Sequence, residues 1–334
     1  MRFLPTDEQT DFARTLRSLL AAAGVPATVR AWADGEHGPG GALRSRLAAT
    51  GLFALAADER YEGAGPLPLE LALGFVELGR AGAPGPLVES AAAAVLLSEL
   101  GDDTLAKRFL PGLVSGEAWA ALTLPGGSPY ALDADAAAHR LTVSGDGELR
   151  LADGCAGGPV RSTDPARRLF RLPVEGGEVL ASGPAVLRAA AVAGLWARLL
   201  TAAQCLGVAE TLLDRTVGHA RSRTQFGMPV GAFQAVKHRL ADTLLGIEFA
   251  RPLLWAAGLS PGAGEVAAAK LRCGEAAYRA AGTALQLHGA IGYTEELDLS
   301  LWLRKARPLR DAWGTPADCR AEVLRSLTPG RRGG

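Results

Sequence analysis

Apolar positions recur at helical spacing over most of the chain. Phe12, Leu16, Leu19 and Leu20 fall on one helical face, and Thr6 with Gln9 forms a capping box ahead of them. Residues 31–41 read as a looser segment, and residues 51–65 as a helix end, a short buried run and a Gly-rich turn. Three further helices are predicted over 66–80, 86–100 and 103–114, punctuated by Gly82, Pro84, Gly101 and Gly116. The pattern changes near residue 119: helical periodicity fades, Gly, Pro and Asp become dense, and runs such as Arg140-Leu-Thr-Val and Arg168-Leu-Phe-Arg-Leu alternate like short strands. From about residue 187 four long helical pieces are predicted, over 189–222, 232–259, 264–288 and 294–327, the last interrupted near Pro308 or Trp313.

The expected architecture is therefore mostly α with a small β domain. It comprises an N-terminal helical domain over 1–118, a shortened strand domain over 119–186, a C-terminal four-helix bundle over 187–327 and a disordered tail over 328–334. Composition fits an ordinary globular protein of this size: 48% of the 334 residues are hydrophobic and 21% charged. Lys+Arg and Asp+Glu both number 35, so no basic excess points to nucleic acid. No apolar run reads as reaching the ~18 residues of a membrane span, and the acidic start reads as no signal peptide. Cys155, Cys205, Cys273 and Cys319 lack a Cys-x-x-Cys pair and read as free thiols of a cytoplasmic protein. His238 and Asp242 stand at i, i+4 without a third ligand nearby, so no metal site is expected.

One stretch concentrates chemistry. Arg223-Thr-Gln-Phe-Gly-Met-Pro-Val-Gly-Ala-Phe-Gln-Ala-Val-Lys-His-Arg-Leu-Ala-Asp242 joins two long amphipathic runs, with Gly227, Pro229 and Gly231 as breakers. It places a guanidinium, two amides and two aromatics at one helix–turn–helix corner, groups suited to a phosphate and a flat ring. Alone, Arg223 would read as a helix-end arginine and Phe226 as a core residue; their joint pattern argues otherwise.

That stretch resembles the flavin-contacting corner of the acyl-CoA dehydrogenases. Leu285-Gln-Leu-His-Gly-Ala-Ile-Gly-Tyr-Thr-Glu295 resembles their Gln-x-x-Gly-Gly-x-Gly-Tyr turn, and residues 51–65 resemble the segment after their second N-terminal helix. The order of helical domain, strand domain and bundle is similar too. The resemblance implies FAD as cofactor, an acyl-CoA substrate and α,β-desaturation. In the family, the arginine matching Arg223 binds the FAD pyrophosphate across a subunit interface, and an aromatic matching Phe226 lies beside the flavin. Gln225, Phe233 and Gln234 match further flavin-contacting positions. Gln286, His288 and Gly289 match the turn that approaches the adenine–diphosphate half, with Ala290 replacing the second glycine. Thr315 and Arg198 match cofactor-contacting and substrate-adjacent positions.

The family's catalytic base is missing from both places it occupies. The usual glutamate directly precedes a Gly-Thr pair, 27 residues after the turn glutamine, and here Trp313 stands before Gly314-Thr315. An indole N–H donates and cannot accept the α-proton. The alternative position, on the first long bundle helix, holds Ala197. Asp311 is the nearest carboxylate to Trp313; on a continuous helix it would lie about 200° round the axis. The family's Trp-Ile-Thr segment, which grips the flavin ring, is also absent from residues 121–187.

These departures imply a subunit that completes the FAD site of a longer, catalytic partner in an α2β2 acyl-CoA dehydrogenase, itself catalytically silent. Such subunits resemble those of actinobacterial heteromeric enzymes acting on steroid side chains or other bulky acyl-CoAs. Two other readings stay open at this point: a self-sufficient flavoenzyme with a displaced base, and a family scaffold turned to non-redox chemistry or binding.

Overall fold

The computed structural model describes residues 4–173 and 175–328. Six helices form the N-terminal part: α1 (Asp7–Ala22), α2 (Val25–Ala33), α3 (Gly38–Ala48), α4 (Pro68–Ala81), α5 (Leu87–Leu100) and α6 (Asp103–Val114). The Thr6–Gln9 capping box forms at the start of α1. The segment read as loose, 31–41, is instead the meeting point of α2 and α3. Its glycines mislead, because Gly40 serves packing: a Cβ there would stand 2.3 Å from the Trp32 ring. Trp32 is fully buried against it.

Six short strands follow: β1 (Ala120–Thr123), β2 (Ala131–Leu132), β3 (His139–Val143), β4 (Glu148–Leu151), β5 (Leu169–Phe170) and β6 (Glu178–Ser182). Four make one sheet in the order β1-β3-β4-β6, with β1 parallel to β3 and the other pairs antiparallel; β2 and β5 pair separately.

The last part begins with α7 (Pro184–Ser222), the longest helix. A hairpin of β7 (Thr224–Gln225) and β8 (Met228–Pro229) leads to α8 (Gln234–Leu259). Then come α9 (Ala263–His288), α10 (Leu299–Asp311) and α11 (Pro316–Leu327). The expected last helix is thus two helices, broken at Ala312–Thr315 rather than at Pro308, which α10 accommodates. The tail expected to be disordered lies, from residue 329 on, outside the described residues.

Helix α7 corrects one expectation. By length and composition it is apolar enough to cross a membrane, yet 56% of its most apolar window is buried inside the protein. It is apolar because α4, α5, α9 and α10 surround it. Its crossing with α4 is backbone on backbone: a Cβ on Gly207 would meet Val76 O at 2.0 Å, and one on Gly79 would meet Gln204 O at 2.2 Å. Through this contact the N-terminal helices are held against the bundle, and α5 comes to lie beside the α10–α11 connection.

Candidate functional site

The structure gathers the predicted residues at two places. The first is the corner after α7. Arg223 caps the helix, its N–H donating to His219 O at 2.9 Å while its own carbonyl accepts from Val230 N at 2.8 Å. The two residues between β7 and β8, Phe226 and Gly227, both have positive φ, at 51° and 79°. That suits a tight hairpin whose twist matches its strands. Phe226 adopts this left-handed backbone although it is aromatic, and its side chain is 90% exposed. A non-glycine residue with positive φ is uncommon and marks strain held by its surroundings. Its ring meets Phe233 edge-on, with centroids 6.2 Å apart. Arg223, Gln225 and Gln234 are exposed and Phe233 is half-buried at the N-terminus of α8. No side chain caps that terminus.

The second predicted stretch, the end of α9, reaches the same corner. Here His219, which the sequence reading missed, provides the link: its ring stacks on His288 with centroids 4.1 Å apart and 23° between planes. Burial first, and the neighbouring His288 second, hold the His219 imidazole below its usual pKa. His288 is fixed by a 2.8 Å hydrogen bond between Nδ1 and Ala284 O. Gln286 and Ala290 are exposed, and Gly289 turns the chain at φ 63°, where a side chain would be strained. Its N–H already donates to Leu285 O. A signal for His219 exists in the sequence: it stands four residues before Arg223, one helical turn away on the same face.

Exposed guanidinium, amide and aromatic groups with an uncapped helix terminus fit a diphosphate and an adjoining flat group. Nothing in the local core accounts for an aromatic as exposed as Phe226.

The other place is a cleft of about 880 Å³ between the β1 end of the sheet, α7 and the α10–α11 connection. Trp313, Gly314, Thr315, Asp311 and Arg198 all line it. Trp313 has φ 55° and is half-buried. Its indole Nε1 donates to Glu89 Oε1 at 3.0 Å, and its carbonyl accepts from Arg198 Nε at 3.0 Å. Lys270, buried on α9, ties the same connection down by donating to Arg310 O at 2.6 Å and Gly314 O at 3.2 Å. Burial holds its ammonium below the usual lysine pKa. Thr315 caps α11 through reciprocal bonds with Asp318, so within this chain it belongs with Trp313 rather than with the Arg223 corner.

Ala197 is fully buried on α7, and its carbonyl accepts from Thr201 Oγ1. Asp311 ends α10 while Trp313 lies beyond it, so the helical-wheel separation of the two does not hold, and both face the cleft. Both Asp311 oxygens are engaged by Arg310, at 2.8 and 3.2 Å.

Glu89 also escaped the sequence reading. It sits in α5 amid an Ala-rich run, 2% exposed, with Oε2 lacking any hydrogen-bond partner among the described residues. Burial pushes its carboxyl above the ordinary glutamate range. An acidic residue inside an otherwise apolar helical run was the available clue. Glu89 adjoins a small chamber together with Asp133, Arg167, Gln204 and Lys305. Asp133 there is fully buried and its carboxyl is pushed up to about 8, chiefly by burial.

This arrangement of helical domain, small sheet and helical bundle has clear relatives. The family model for the acyl-CoA dehydrogenase N-terminal domain matches residues 6–117, and that for the acyl-CoA dehydrogenase C-terminal domain matches residues 188–327. The chain belongs to the acyl-CoA dehydrogenase family. Acyl-CoA dehydrogenase IpdE2 of Mycobacterium tuberculosis is 35% identical over 325 residues, 97% of each chain. Among solved structures, a chain of the ChsE4-ChsE5 complex from Mycobacterium tuberculosis superposes with a TM-score of 0.84 at 26% identity, covering 99% of this chain and 100% of that one. Butyryl-CoA dehydrogenase from Megasphaera elsdenii shares the fold, with a TM-score of 0.83 at 22% identity over 98% of this chain and 100% of that one.

Proposed function

We propose that this chain is the base-lacking subunit of a heteromeric, FAD-dependent acyl-CoA dehydrogenase, and that it completes the cofactor site of a longer catalytic partner, two of each chain forming an α2β2 assembly. The observation that carries the reading is the state of Trp313. At the position where the family's base stands, an indole faces the cleft and has its one polar atom committed to Glu89. The indole itself offers no proton acceptor there. Asp311, the neighbouring carboxylate, is held by Arg310.

FAD, when bound, would supply a hydride acceptor for the β-carbon of the acyl group. This chain's part is to hold the diphosphate with Arg223 and the Gln286–Ala290 turn, and to place Phe226, Gln225, Phe233 and Gln234 against the rest of the cofactor. Among the described residues the strand domain offers six short strands, and its sequence holds no Trp-Ile-Thr segment for the ring. A chain of the same fold occurs in the ChsE4-ChsE5 complex, which supports a heteromeric reading.

Co-expression with the partner should give about two FAD per four chains, as a two-fold symmetric assembly of unlike pairs requires. The chain purified alone should carry little flavin and no dehydrogenase activity. A yellow, fully loaded and active homo-oligomer of this chain would overturn the reading.

A further inference from the structure

The charges lining the Trp313 cleft are unevenly matched. Asp311 is held by Arg310, Asp318 by Thr315, and Glu322 pairs with Arg325 at 2.5 Å. Glu89 is buried, and burial favours its neutral form. Two cations remain. Arg198 commits only Nε, to the Trp313 carbonyl. Arg167, on the turn before β5, lines both the cleft and the small chamber beside it. Among the described residues no ion pair includes either arginine, and the Arg167 side chain makes no hydrogen bond.

We propose that this cleft binds an apolar molecule ending in a free carboxylate, with the Arg167 guanidinium as its reader and Arg198 as a second contact. A guanidinium presents parallel N–H donors that match a carboxylate two to two, and a partly buried one without a partner is an incomplete interaction. Glu89 and Asp133, which share the chamber with Arg167, form no ion pair with it. Glu89 and Asp133 are both pushed toward the neutral acid by burial, Asp133 to about 8. Part of the wall takes an apolar body: Leu122 on β1, Leu124 just after it, and Ala190 and Leu195 from α7. A volume of about 880 Å³ holds a body of drug-like size. An alcohol or thioester would fill the same space but would offer no charge to Arg167. The inference is independent of which chain holds the flavin ring.

The test is calorimetric titration of the full-length chain with octanoate, and with 1-octanol as an uncharged molecule of equal length. Octanoate is expected to bind at about one site per chain, at least tenfold more tightly than 1-octanol, and to weaken with added salt while 1-octanol does not. Arg167→Met should weaken octanoate at least tenfold and leave 1-octanol unchanged. Arg167→Lys, which keeps the charge without the fork, should fall between, and it serves if the methionine variant does not fold. Equal binding of acid and alcohol, no saturable binding of octanoate to folded protein, or unchanged octanoate affinity in the Arg167 variants would overturn the proposal.

Discussion

Trp313 and Glu89 are joined by a 3.0 Å hydrogen bond from the indole Nε1 to the carboxyl Oε1, across 224 residues of sequence. The bond ties the α10–α11 connection to α5 and fixes the indole that lines the cleft. Trp313→Phe should keep the ring and strand Glu89 Oε1 without a donor, costing about 1–3 kcal/mol. Glu89→Gln keeps an acceptor for the indole and removes a buried ionisable group, so it should cost less than Trp313→Phe. Urea denaturation of both variants checks the order. A larger loss in Glu89→Gln would mean that the acid itself, rather than the acceptor, stabilises this contact.

The chamber behind Glu89 makes stability depend on pH. An unfolded aspartate loses its proton near 3.8, whereas folded Asp133 holds its proton up to about 8. The folded pKa is raised, so between these values the unfolded state binds fewer protons. Wild-type stability therefore falls as pH rises through this window, by at most about 1.4 kcal/mol per pH unit from this group, and levels off above it. Asp133→Asn removes the effect and keeps the acceptor for Arg168 N, which Asp133 Oδ1 now bonds at 3.0 Å. Asn also tolerates the φ of 49° at this position. The variant should gain on wild type steadily from pH 5 to pH 8, read as the difference in urea midpoints. A difference that stays constant with pH would show that Asp133 ionises in the folded protein as it does unfolded.

The α4–α7 crossing should tolerate no side chain. Gly207→Ala would place Cβ 2.0 Å from Val76 O and 2.5 Å from Arg80 N, both backbone atoms that cannot move aside singly. Overpacking of this kind costs about 1–3 kcal/mol and at times more. Gly218→Ala on the same helix is the control, since no atom lies within 4 Å of its Cβ. That substitution should stabilise by about 0.5–1 kcal/mol through helix propensity alone. Opposite shifts in denaturation midpoint, with the Gly207→Ala loss the larger, would support the contact geometry; two stabilising substitutions would contradict it.

The contrast between what the sequence showed and what it hid follows from range. Helices α4 to α6 and the Thr6–Gln9 cap were legible because their signals are local: apolar spacing, Gly and Pro stops, and a hydroxyl three residues before an amide. The fold class was legible through motifs at the α7–α8 corner and the end of α9. Glu89 and Arg167 were not, because their roles depend on residues far away in sequence: Glu89 on Trp313 and Arg167 on the cleft walls. The glycines at 35, 38, 40 and 41 hid α3 because Gly40 answers to Trp32 in another helix rather than to its own neighbours. His219 was hidden by a third cause, since stacking on His288 requires two long helices to end side by side.

Arg223 offers the sharpest test of shared cofactor binding. It stands exposed at the end of α7, beside Phe226 on a strained hairpin, and Arg221, two residues earlier, is exposed too. Both carry the same charge, but Arg221 lies within the last turn of α7, whereas Arg223 caps the helix in extended backbone where the chain turns into the hairpin. In the co-purified complex, Arg223→Ala should weaken FAD retention by about 10–100-fold, the loss of one charge-assisted contact. Arg221→Ala should leave it within about twofold, as a surface charge screened by salt. Flavin absorbance after gel filtration at fixed protein concentration reads both. Equal losses in the two variants would mean that general positive charge, and not the Arg223 fork at this corner, holds the cofactor. An unchanged flavin content in Arg223→Ala would place the diphosphate elsewhere and remove the corner from the site.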